Sequence, residues 1–146
     1  MPFTILCIDD EPRIVELIRA VLDHPDIHLL TAYNCEDGLK RARQRQPDLI
    51  ILDVVMPDNN GWWVYENIRS DHRRKDTPII MLTGILHRYK TMKEFSRSEI
   101  DCYITKPFDA MSVRKEVQNM LGYTFWSPQT GQCVQPTKTL DRTRLA

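Results

Sequence analysis

Five short apolar runs punctuate the chain, and amphipathic or polar stretches separate them. Thr4–Ile8 (TILCI), His28–Tyr33 (HLLTAY), Leu49–Val55 (LIILDVV), Ile79–Thr83 (IIMLT) and Cys102–Thr105 (CYIT) are rich in Ile, Leu, Thr and Tyr and predict strands. Helical spacing fills the intervals. Ile14, Leu17/Ile18 and Val21/Leu22 follow Pro12, a residue suited to a first helical turn. Gly61 opens a segment with Val64, Tyr65 and Ile68 on one side. Val113, Val117 and Met120/Leu121 stripe a last helix between Asp109 and Gly122. Glu36–Gln46, anchored by Leu39 and Ala42, and Tyr89–Ser98, with Tyr89, Met92 and Phe95, predict two more. Strand and helix alternating five times predict an α/β fold, a parallel sheet with helices on both faces.

Asp53 breaks this pattern. It interrupts the run from Ile50 to Met56, and an unpaired buried carboxylate is costly. In an open α/β sheet the ligand site lies beyond the carboxyl ends of the strands, so the residues ending each run are the ones to compare. The first run ends in Asp9-Asp10-Glu11, the third carries Asp53, the fourth ends in Thr83 and the fifth in Lys106-Pro107. Acids, a hydroxyl and an ammonium thus converge on one edge. Carboxylates gathered there repel one another unless a cation sits among them. Oxygen donors without His or Cys suit a hard ion, magnesium above all. Lys106 and Thr83 are groups suited to phosphoryl oxygens, so the set suits phosphoryl transfer onto an aspartate.

Composition narrows the classes further. A chain of 146 residues with 42% hydrophobic and 27% charged content suits one folded domain rather than disorder. The formal net charge is zero, which provides no global basic field for nucleic acid or acidic membranes. No apolar run approaches the roughly 20 residues of a membrane span, and the first residues do not read as a signal peptide. Cys7, Cys35, Cys102 and Cys133 are scattered, with no C-x-x-C pair, and read as free thiols of a cytoplasmic protein.

Four features in register carry a family resemblance. The acidic pair Asp9-Asp10, "LDVVMPDNNG" around Asp53, Thr83 closing "IIMLT", and "YITKPF" with Lys106 together resemble the receiver domain of two-component response regulators, of the chemotaxis-regulator type. The resemblance covers about Thr4 to Leu121. It implies a doubly wound five-stranded parallel sheet of flavodoxin-like order 2-1-3-4-5. It implies that Asp53 is the phosphoacceptor, and that Asp9, Asp10, Asp53 and the backbone carbonyl of Val55 hold Mg2+. Thr83 and Lys106 would contact the phosphoryl oxygens, Thr83 and Tyr103 would form the switch, and the Lys106–Pro107 bond would be cis.

The implied partners are a histidine kinase or histidine phosphotransfer protein, and a downstream protein on the face of the fourth helix, fifth strand and fifth helix. Neither nucleic acid nor membrane is expected as a partner; a homodimer on phosphorylation is compatible with the resemblance, which leaves the oligomeric state open. The domain would be no enzyme apart from assisting its own phosphorylation and dephosphorylation. One competing reading is a phosphorylation-independent scaffold. Another is an aspartyl-phosphate phosphohydrolase, which wants a second acid where Val55 stands. Val55 and Ile85, two residues after Asp53 and Thr83, occupy positions that many receivers fill with polar side chains.

Single residues also have plainer readings. Acids after the first run suit the positive start of a helix, and an aromatic such as Tyr103 is commonly just packing. Trp62 reads as a core or capping aromatic, Trp63 as an exposed patch for a partner or, more in keeping with its place, a ring packed on its own helix, and the Arg41, Arg43, Arg45 and Arg73-Arg74-Lys75 groups as solvated faces. The family pattern is departed from at Glu99-Ile100, where a small pair is usual. The reading divides the chain into a receiver domain, 1–122, and a C-terminal extension, 123–146. In the extension, Thr124–Ser127 and Gln132–Gln135 flank a Pro128…Gly131 turn signal, which predicts a short hairpin or a tethered tail pinned by Trp126, followed by a flexible end.

Overall fold

The computed structural model describes residues 2–84, 93 and 100–133. Strands β1 (Phe3–Ile8), β2 (Ile27–Ala32), β3 (Leu49–Asp53), β4 (Ile79–Thr83) and β5 (Asp101–Thr105) form one parallel sheet in the order β2-β1-β3-β4-β5. Among the described residues the helices are α1 (Pro12–Val21), α2 (Cys35–Arg45), α3 (Gly61–Ser70) and α4 (Ala110–Leu121). The last is the fifth helix of the sequence reading. The helix expected at Tyr89–Ser98 lies, apart from Lys93, outside the described residues.

Alternation along the strands divides the core in two. Ile5, Cys7, Leu49, Ile51, Ile80 and Leu82 face α1 and α4, where they meet Val15, Ile18, Val113, Val117 and Leu121. Leu6, Ile8, Ile50, Leu52, Ile79 and Met81 face α2 and α3, where they meet Leu39, Ala42, Val64 and Ile68. Strands β3 and β4 are buried at every position. Helices cover both faces of the sheet, which is why these runs are apolar without alternation. Edge strand β2 is buried only at Leu30 and Ala32.

The predicted bounds shift at two functional points. Strand β3 ends at Asp53, not Val55, because the chain folds back there. Val55 bridges to Asn60, and the Gly61 N–H donates to the Val54 carbonyl at 2.7 Å. A Cβ on Gly61 would lie 2.2 Å from the Asp53 carbonyl oxygen, so only glycine permits this return. Helix α2 begins at Cys35, one residue earlier than expected, because the Asn34 side chain caps it by accepting the Asp37 N–H at 2.8 Å.

The last described segment belongs to the core. Gly122 ends α4 in the left-handed region (φ 63) and turns the chain back along the helix. Gln118 Oε1 then accepts the N–H groups of Phe125 at 2.9 Å and Trp126 at 3.1 Å. Phe125 and Trp126 are buried in the α1–α4 cluster, and Arg114 lies 4.8 Å over the Trp126 ring. Trp126 forms an antiparallel bridge with Cys133, around a turn in which the Gly131 N–H donates to the Ser127 carbonyl at 2.8 Å. On the other face Trp62 is buried in the α2–α3 cluster and Trp63 packs against it.

Candidate functional site

The carboxyl ends of β1, β3 and β5 bring the singled-out residues together. Asp9 follows β1 and is fully buried, Asp53 closes β3 and is buried, and Asp10 is half-buried beside them. One oxygen from each lies within 4.8 Å of the others. The Lys106 ammonium, just past β5, donates to Asp9 Oδ2 at 3.1 Å and Asp53 Oδ1 at 3.2 Å. Asp9 Oδ1 also accepts the Glu11 N–H at 2.9 Å. The Lys106–Pro107 peptide is cis.

Electrostatically, these acids are short of positive charge. Burial, with the neighbouring Asp9 charge added, lifts the Asp53 carboxyl from 3.8 to about 6, against the opposing pull of Lys106. Burial likewise raises Asp9, while the Glu11 N–H and Lys106 oppose it. For Lys106, burial favours the neutral amine, but Asp53 and Asp9 together outweigh it and hold the charge. Three carboxylates against one ammonium, with no His or Cys in the group, make a donor set that fits a hard divalent cation.

A pH test follows from the raised Asp53. Its folded pKa lies above its unfolded one, so between the two the folded state binds more protons. The metal-free protein is therefore expected to lose stability as pH rises from about 4 through about 6, by up to about 3 kcal/mol from this group. Denaturant titrations in chelator across that range should show a larger loss in wild type than in Asp53→Asn, where only the raised Asp9 still contributes. Parallel profiles for the two proteins would contradict the assignment.

The other singled-out residues surround this group. Thr83 is buried at the end of β4, its carbonyl accepts the Lys106 N–H at 2.8 Å, and its hydroxyl donates to the Gly84 carbonyl at 3.3 Å. Tyr103, opposite Met81 on β5, is half-buried and packs against the α2–α3 core. Val55 is 54% exposed, and its N–H favours the ionised form of the Asp53 carboxyl. Ile85 lies outside the described residues.

The sequence reading missed Asp58. Its carboxylate accepts the Cys35 N–H at 3.0 Å and the Glu36 N–H at 3.3 Å, tying the β3–α3 loop to the start of α2. Only the turn-forming run Pro57–Asn60 marked the place, and nothing in it named the partner helix.

A five-stranded 2-1-3-4-5 sheet with this acid–lysine group at its carboxyl edge defines a class, and comparison agrees. The family model of the response regulator receiver domain matches residues 5–118, and the chain belongs to that family. It is 35% identical over 128 residues to the "DNA-binding dual master transcriptional regulator RpaA" of Synechocystis, covering 88% of this chain and 53% of that protein. The chain spans about half the length, or less, of the first curated relatives it matches. Among solved structures, the chemotaxis response regulator CheY4 of Vibrio cholerae superposes with a TM-score of 0.74 at 27% identity, covering 83% of this chain and 100% of that one. A putative response regulator from Chloroflexus aurantiacus gives 0.73 at 28% identity, covering 82% and 98%. No helix among the described residues is long and apolar enough to cross a membrane.

Proposed function

We propose that this receiver domain accepts a phosphoryl group on Asp53 from the phosphohistidine of a histidine kinase or phosphotransfer protein, and that the modification switches a protein-binding face. The observation that carries this reading is Lys106 bridging the Asp9 and Asp53 carboxylates within an acid trio at the carboxyl edge of the sheet.

Asp9, Asp10 and Asp53, with the Val55 carbonyl, would hold magnesium, which when bound supplies neutralising charge for phosphoryl oxygens. The chain's own residues do the rest. An Asp53 carboxylate oxygen forms the new bond to phosphorus as the bond to the histidine nitrogen breaks, and the imidazole leaves. The phosphoryl group brings two negative charges, so the Lys106 ammonium, held by Asp9, turns from the Asp53 oxygen to a phosphoryl oxygen. The Thr83 hydroxyl gives up the Gly84 carbonyl for another phosphoryl oxygen, and Tyr103 moves in response. β5 and α4 contribute to the face this alters, with the helix expected at 89–98. A downstream protein, or a second phosphorylated copy, binds there.

Incubation with acetyl phosphate and magnesium, read by intact mass, tests the reading. One added phosphoryl group mapping to Asp53 is expected. No uptake, or uptake at another residue, would overturn it.

The lifetime of that group follows from Val55 and Ile85. Hydrolysis needs a water aligned opposite the aspartyl oxygen, and apolar side chains cannot hydrogen-bond one into place. Val55→Asn with Ile85→Glu is expected to speed phosphate loss roughly tenfold or more. Equal decay of the double variant and the parent would show that water enters elsewhere.

A further inference from the structure

Helix α2 is capped twice. Its own N-cap, Asn34, accepts the Asp37 N–H at 2.8 Å, the usual single service of such a residue. The second cap comes from outside the helix. Asp58, on the β3–α3 loop, accepts the Cys35 N–H at 3.2 Å through Oδ1 and 3.0 Å through Oδ2, and the Glu36 N–H at 3.3 Å. These two N–H groups outweigh the effect of burial and hold the Asp58 carboxyl below its usual range, so the bonds are charge-assisted. The same helical turn grips the loop twice more: the Cys35 thiol donates to the Asn60 carbonyl at 3.6 Å and lies 4.0 Å from the Met56 sulfur.

The gripped loop leads directly to the site. It leaves β3 at Asp53 and runs through Val55, whose N–H favours the ionised Asp53 carboxyl, before Asn60 bridges back to Val55. Met56, Asp58 and Asn60 are the residues held by α2, so the loop's position beside the acid trio is set by a helix two elements earlier in the chain. Outer contacts of this kind commonly fix the groups that bind a metal.

We infer that Asp58 is a positioning residue for the phosphoacceptor site, holding the Val55–Asn60 loop against the start of α2. The inference rests on the reading of Asp9, Asp10 and Asp53 as a magnesium site. Asp58 itself touches neither the acid trio nor a phosphoryl group; it acts through the loop.

Magnesium titration of the full chain by calorimetry, without phosphodonor, supplies the test. Asp58→Ala is expected to weaken magnesium binding about tenfold, the usual loss when a supporting contact is removed. Asp58→Asn, which keeps an acceptor oxygen for one N–H, is expected to recover most of the affinity. Asn34→Ala removes the other cap from the same helix without touching the loop. It should lower the melting temperature and leave magnesium affinity unchanged. At saturating magnesium, labelling of Asp58→Ala by acetyl phosphate should approach the wild-type rate. Wild-type affinity in Asp58→Ala, or an equal loss in Asn34→Ala, would overturn the positioning role while leaving the site reading intact. Absence of magnesium binding in the wild type would overturn both.

Discussion

Asp53→Ala protein is expected to take up no phosphoryl group from acetyl phosphate and magnesium under conditions that label the wild type fully. The expectation rests on geometry. Asp9 is 0% exposed, with one oxygen engaged by the Glu11 N–H and the other by Lys106, whereas Asp53 keeps some exposure, so a phosphodonor reaches Asp53 and not Asp9. Asp10 is half-buried and stands one residue further from β1 than Asp9. Asp53 closes the central strand, and burial with the Asp9 charge raises its carboxyl to about 6, which leaves it mostly ionised at neutral pH. The Lys106 ammonium that it binds is shared with Asp9. Intact mass and peptide mapping read the result. Labelling of the variant at the wild-type extent would sink the assignment, whichever residue carried the label. The same substitution removes a buried charge, so the variant should be no less stable than wild type at neutral pH, and loss of labelling would not reflect unfolding.

Phe125→Ala is expected to lower stability by about 3–5 kcal/mol, the usual cost of truncating a buried aromatic. Phe125 is 0% exposed and lies three residues past the glycine that ends α4. Its ring meets Phe3 edge-on with centroids 5.7 Å apart and His24 at 5.1 Å, closing the core beneath the start of β1. The neighbouring backbone is held by Gln118, so the cavity left by truncation cannot collapse freely. For a chain of this size the melting temperature should fall on the order of 10 °C. Met111→Ala, removing a side chain 73% exposed on α4, provides the contrast and should change stability by less than about 0.5 kcal/mol. A loss below about 1 kcal/mol for Phe125→Ala would show that the segment after Gly122 merely rests on the domain.

Local patterns made much of this architecture legible. Buried strands such as Ile79–Thr83 announce themselves because every side chain must be apolar, and amphipathic helices because one stripe must be. Asp53 was visible for the complementary reason, as a charge where the pattern forbids one. Asp9, Asp10, Thr83 and Lys106 followed once the sheet was inferred, because the carboxyl ends of parallel strands share one edge. The bounds were less legible. Tyr33 reads as strand by composition, yet it lies past the last pairing of β2 and is 45% exposed.

What the sequence by itself determined is therefore the periodic and the exceptional: five apolar runs, the helical stripes between them, and the acids and lysine that end them. Such signals are local, since a strand or helix imposes its period on neighbours in the chain. Tertiary structure decided the contacts between residues far apart in sequence. It placed Lys106 within hydrogen-bond reach of Asp9, 97 residues away, and thereby shared one ammonium between two carboxylates. It brought Asp58 to the N–H groups of a helix 22 residues earlier. It also drew Phe125, beside the Trp126 expected to pin the tail, into the core cluster of α1 and α4. Each depends on where whole elements pack, and packing follows from the shape of both core faces together, which no window of sequence contains.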